Sequence, residues 1–253
     1  MNIAVVFYGQ PRNYLTGYET LMKFIQTQPD CKFDFFYHCW SLEENQKYSH
    51  APWRTIDENT LVFTEKTITD LQKLYNPISY EIENQNNVSF DKSMYENTIA
   101  FNNISNELKK RNINNILFQL YSRNKARNLL EAHLRQIGNM DHYDFVMTQR
   151  FELNEMPSIK FNELDKSKTY FSDVHFPRKI IAPDCVITST KTYLEWFDIY
   201  ERLKDILNNK ELDALCARLN EKLEINAEEL IFAKYIFHYS NTDNVRYFTP
   251  FLI

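Results

Sequence analysis

The chain has 253 residues, 43% of them hydrophobic, which is enough to bury a sizeable core within a single domain. Its 29 Lys and Arg stand against 34 Asp and Glu, so a formal charge of −5 provides no global field for nucleic acid or an anionic membrane, and any anionic ligand must be met by a local cluster. No stretch approaches the roughly 20 apolar residues of a membrane span, and the N-terminus lacks the charged start and long apolar run of a signal peptide, so a cytoplasmic protein is expected.

Residues 3–8 form a continuous apolar run stopped by Gly9-Gln10-Pro11-Arg12, the pattern of a strand buried on both faces. Leu21, Met22, Phe24 and Ile25 give a helical stripe within 18–28, ahead of Pro29-Asp30, and 33–40 reads as a second buried strand. The opening is therefore β-α-β with a parallel pair. Residues 41–60 read as a loop, 67–75 as a helix flanked by short strands at 61–63 and 78–82, and 83–97 as irregular. Ile113, Ile116, Leu117, Leu120, Tyr121, Ala126, Leu129, Leu130 and Leu134 recur at helical spacing, and Gly138-Asn139 ends that helix. A third buried strand at 143–148 runs into Gln149-Arg150-Phe151-Glu152. Beyond it come a short strand at 169–171, a loop at 173–183, the apolar run Cys185 to Thr188, a helix from Thr192 to about Asn208 and an amphipathic segment at 211–222. A helix at 227–237, with Asn226 as N-cap, and a last strand at 245–251 complete the reading. No repeat or linker divides the chain. Cys31, Cys39, Cys185 and Cys216 form no CxxC pair and read as free thiols.

In an open parallel sheet, ligands lie beyond the C-terminal ends of the strands. Three such ends carry chemistry here. At the first, Gly9 permits close backbone approach, and Gln10 and Arg12 follow, the arginine suited to a phosphate. At the second, His38 and Trp40 set an imidazole and an indole where a base or sugar could stack, the alternative for the histidine being a packed, hydrogen-bonded residue. At the third, alternation puts Arg150 and Glu152 on one side, as a diphosphate clamp and a ligand for a divalent cation, or as a plain ion pair. Gln119 and Ser122, with Ala126 on the same face of the long helix, would leave room for a sugar. There is no GxGxxG, GxxxxGK[ST], GxSxG or HExxH, and only three glycines.

The start Ile3 to Arg12, the segment Asp34 to Trp40, the stretch Gln119 to Ser122 with its helix, and Tyr143 to Glu152 resemble glycosyltransferase-like proteins of large DNA viruses and bacterial polysaccharide clusters. Ala182 to Ser189 looks like a further block of that family, with an Asp ahead of a strand. The resemblance implies a GT-A-like (Rossmann-like) α/β domain with a mixed, mostly parallel sheet flanked by helices. Residues 1–155 would bind a nucleoside diphosphate sugar and 156–253 would shape the pocket for a glycan acceptor. It also implies a Mn²⁺ or Mg²⁺ ion at an Asp-x-Asp site, whose place here is Arg150-Phe151-Glu152, leaving Glu152 as its one carboxylate. An acceptor hydroxyl needs a base, for which Asp184 is the first candidate and Glu228 or Glu229 the alternatives. The rival readings are a nucleotidyl or phosphate-group transferase and a carbohydrate-binding or scaffold protein without catalysis.

Overall fold

The computed structural model describes residues 1–48, 62–103, 113–153, 155–175, 180–218, 222 and 245–247, with the backbone alone at 172–175, 180–184, 215, 218 and 245–247. Its first strand, β1 (Asn2–Gly9), shows why an uninterrupted apolar run is needed. Ala4, Val6 and Tyr8 enter one core and Ile3, Val5 and Phe7 the other, all at 1% exposure or less. Each such side chain contributes about 1.5–3 kcal/mol on burial.

Among the described residues, one seven-stranded sheet has the order β3-β2-β1-β4-β6-β5-β7. It consists of β1, β2 (Lys32–Ser41), β3 (Ser79–Asn84), β4 (Phe145–Arg150), β5 (Thr169–His175), β6 (Ile180–Thr188) and β7 (Val245–Tyr247). Strands β3, β2, β1 and β4 are mutually parallel, β6 is antiparallel to β4 and β5, and β7 runs parallel to β5. Helices α1 (Tyr14–Gln26) and α2 (Glu65–Tyr75) pack on one face through Leu21, Phe24, Leu71 and Tyr75. The short helices α3 (Ser93–Glu96) and α4 (Ile99–Asn102) and the long α5 (Ile113–Ile137) cover the other, joined by α6 (Thr190–Trp196), α7 (Leu203–Leu207) and α8 (Lys210–Arg218). The expected mixed, mostly parallel sheet flanked by helices is present. No described helix is long and apolar enough to cross a membrane.

Gly138, at φ 67°, ends α5, and the Asn139 N–H reaches back to the Leu134 carbonyl at 3.2 Å. The helix expected over 192–208 is instead two short ones. Phe197 and Ile199 are both buried, and two residues apart they cannot share one helix face. The loop expected at 173–183 largely belongs to β5 and β6, where an antiparallel ladder running to His175↔Ile180 holds a polar segment by its backbone. β3 extends to Asn84, two residues past its expected end, and residues 85–96, expected to be irregular, hold a turn of 3₁₀ helix (Gln85–Asn87) and α3. At 61–63, the described residues show only a single bridge, Lys47↔Val62. The helix expected at 227–237 lies outside the described residues. The four cysteines are free thiols, three of them buried.

Candidate functional site

The chain leaves β1 toward β2 on one side, while β4 joins β1 on the other, so the crevice beyond the ends of β1 and β4 is the topological switch point of the parallel strands. Register brings Tyr8 level with His38 on one neighbour and Arg150 on the other. Gly9 then turns the chain at φ 94° and Asn13 starts α1 at φ 51°, both left-handed.

Arg12, at the end of that turn, crosses to the end of β4. Its Nη2 lies 2.7 Å from Glu152 Oε1, and Arg150 Nη2 lies 2.5 Å from the same oxygen. Two guanidiniums thus share one carboxylate oxygen. The side chains of Arg12, Glu152 and Arg150 are 7%, 11% and 18% exposed. The expected closeness of Arg150 and Glu152 is present, although β4 ends at Arg150 and Glu152 stands in the turn beyond it.

Gly17 lets helix α1 settle against the chain that leaves β4. A Cβ there would stand 1.8 Å from the Phe151 carbonyl oxygen, so α1 rests directly on the backbone leaving β4. The sequence signal for it is an isolated glycine inside a helical pattern, which commonly marks a packing need of this kind.

His38 is wholly buried and does not face a ligand. On β2, Phe36, His38 and Trp40 point toward α5, whose Ser122 is also fully buried. Ser122 Oγ accepts the Gly9 N–H at 2.7 Å and lies 2.7 Å from His38 Nδ1, while His38 Nε2 is 2.8 Å from Glu83 Oε2. The tautomer that satisfies all three bonds carries its proton on Nε2, donates it to Glu83 and accepts the Ser122 hydroxyl at Nδ1. Burial holds the imidazole below its ordinary pKa, and the Glu83 carboxylate offsets this only in part. Burial works to raise the Glu83 carboxyl, but the bond from His38 and the charge of Lys125 keep it below the usual range. Lys125 Nζ lies 2.8 Å from Glu81 Oε1 and 3.6 Å from Glu83 Oε2. Glu81 and Glu83 share the α5 side of β3, so Glu83 belongs to the strand and not to the irregular chain expected from residue 83 onward.

Trp40, 1% exposed, has Tyr121 stacked on it at 5.5 Å with the edges of Phe118 and His38 around it. Its ring is core, and no face is left for a base. Ala126 is likewise buried, and Gln119 is half-buried on α5. Gln10 Nε2 bonds Gln85 Oε1 at 2.9 Å, tying the turn after β1 to the chain beyond β3. The structure therefore brings Arg12, Arg150 and Glu152 together beside Gly9 at the switch point, turns Gln10 toward Gln85 beyond β3, and places His38 and Ser122 directly behind Gly9. Asp184 falls within β6 where the backbone alone is described, and Glu228 and Glu229 lie outside the described residues.

A divalent cation does not fit these residues. Glu152 Oε1 is held by two cations, and no group of three His, Cys, Asp or Glu side chains gathers among the described residues.

No protein-family model matches the sequence. No curated protein matches it either. Solved structures similar to it include a galactosyltransferase, LgtC, in complex with donor and acceptor sugar analogues, with TM-score 0.36 and 10% identity over 98% of this chain and 73% of that one. An active-site mutant of LgtC is similar with TM-score 0.40 and 11% identity, over 98% of this chain and 72% of that one. Overlaps this loose assign neither substrate nor chemistry.

Proposed function

We propose that the chain is a glycosyltransferase that moves a sugar from a nucleoside diphosphate sugar to a carbohydrate or glycoprotein acceptor. The observation that carries this reading is the meeting of Arg12 and Arg150 at the switch point between β1 and β4, where a parallel sheet receives nucleotide ligands and where a leaving diphosphate needs positive charge. The sequence resemblance of residues 1–155 to GT-A-like transferases supports it independently. Gly9, Gln10, Arg12 and Arg150 then face the donor, while Ser122 and His38 fix the turn that carries Gly9.

In the reaction, the bond between the anomeric carbon and the diphosphate oxygen breaks, its electrons leaving with the diphosphate. An acceptor hydroxyl oxygen forms the new bond to that carbon and gives up its proton to a base. Asp184 remains the first candidate for that base in the acceptor half, with Glu228 and Glu229 as alternatives. The arginines supply charge where it develops on the leaving group.

Screening sugar nucleotides by thermal shift tests the reading, because a ligand bound only to the native state stabilises it by about 2.7 kcal/mol at 100 times its dissociation constant. A shift with one nucleoside diphosphate sugar, followed by its slow hydrolysis, is the expected result. No shift with any sugar nucleotide at millimolar concentration refutes it. A carbohydrate-binding protein without catalysis is the second reading, favoured by the engagement of the one carboxylate at this strand end with two arginines. Donor binding without hydrolysis or transfer would select it.

A further inference from the structure

We infer that the donor diphosphate is held by the Arg12 and Arg150 pair without a metal ion, and that Glu152 is an internal counter-anion with which the diphosphate competes. This rests on the reading of the β1 and β4 ends as the donor site. Glu152 Oε1 marks a point where an anionic oxygen sits 2.7 Å from one guanidinium and 2.5 Å from another, the environment that a phosphate oxygen seeks. The same point repels a cation, since two positive charges stand within hydrogen-bond distance of Glu152 Oε1. The trio is mostly buried, so these charges act through a lower dielectric than surface groups do. Helix α1 starts two residues after Arg12 with no acidic residue in its first turn, so its N-terminal dipole adds positive potential from the same side. Arg150 is the most exposed member, and the anion meets the cluster from its side.

This inference reverses the expected sign of one mutation. If Glu152 held a metal that bridged the phosphates, Glu152→Gln would abolish binding. If Glu152 competes with the phosphates, Glu152→Gln keeps an acceptor oxygen for both guanidiniums, raises the cluster by one unit of charge and tightens binding by about tenfold, the scale of one unit charge several ångströms away at intermediate dielectric.

The experiment is calorimetric titration of the full chain with inorganic pyrophosphate, and in parallel with the diphosphates of the common nucleosides, in EDTA and then in Mn²⁺. Wild type, Glu152→Gln and Arg150→Gln are compared, with their melting curves as folding controls and Arg150→Lys as the variant that keeps charge but loses the planar fork. The expected result is binding in EDTA, about tenfold tighter in Glu152→Gln, at least tenfold weaker in Arg150→Gln and partly restored in Arg150→Lys. Binding that requires Mn²⁺ and disappears in Glu152→Gln overturns the inference and leaves the glycosyltransferase reading standing. Binding of equal strength in all variants overturns the inference as well, puts the diphosphate elsewhere and removes the reading of the β1 and β4 ends as the donor site. If wild type binds neither pyrophosphate nor any nucleoside diphosphate in either buffer, the donor-site reading fails and takes the inference with it.

Discussion

Replacing Gly17 with alanine separates tertiary packing from helix propensity, because the two predict opposite signs. On propensity alone the change stabilises α1 by about 1 kcal/mol, since glycine in a helix interior is the costlier residue. In the folded protein, however, the new Cβ would lie 1.8 Å from the Phe151 carbonyl oxygen and 3.0 Å from its carbonyl carbon, about 1.6 Å short of ordinary contact at 3.4 Å. Both neighbours are backbone, so no side chain can swing aside, and α1 must lift away from the end of β4. Overpacking in a core costs about 1–3 kcal/mol when side chains can adjust, and a backbone clash of this depth belongs above that range. A net loss of roughly 3 kcal/mol corresponds to a fall in Tm of about 6–12 °C for a chain of this size. Lifting α1 also draws Arg12 from Glu152, so diphosphate affinity should fall with stability. Urea and thermal unfolding of wild type and Gly17→Ala measure the first effect, and titration with pyrophosphate the second. A variant that melts at or above the wild-type temperature would refute the close approach of α1 to Phe151.

Two further predictions concern the network behind Gly9. Ser122→Ala leaves the fully buried His38 Nδ1 and the part-buried Gly9 N–H without their shared partner, at a cost of about 2–4 kcal/mol; a change under about 0.5 kcal/mol in urea unfolding would show the network to be idle. His38 should make stability depend on pH. Its folded pKa lies below the ordinary 6.5, so on acidification the unfolded chain takes up a proton first, and stability falls as pH drops from 6.5 toward the folded value, at up to about 1.4 kcal/mol per pH unit. Glu83, also lowered, adds a loss of the same sign below its ordinary 4.5. His38→Gln should flatten the slope just below pH 6.5, while the contribution of His133, which is also lowered, stays in both proteins; equal slopes would mean that His38 is not held neutral.

Periodicity and interruption in the sequence sufficed for the parallel half of the sheet. An unbroken apolar run such as Ile3 to Tyr8 can be satisfied only by burial on both faces, and Gly138-Asn139 can end α5 because glycine enters the left-handed region without steric cost. The proximity of Arg150 to Glu152 was legible because the two stand two residues apart, although β4 ends at Arg150 and Glu152 lies in the turn beyond it. What the sequence could not supply were the meetings between distant segments. His38 and Trp40 look like ligand-facing residues at a strand end, yet α5 closes over them, and Ser122, chosen as space for a sugar, fills the gap between His38 and Gly9. The strands expected at 169–171 and 185–188 run on through much of the loop expected at 173–183, because the ladder between β5 and β6 holds that segment by backbone hydrogen bonds that leave no side-chain signature. Arg12 and Glu152 stand 140 residues apart, and no local pattern says which carboxylate an arginine will find. That choice follows from the order of strands in the sheet and from a helix whose glycine lets it rest against the neighbouring backbone.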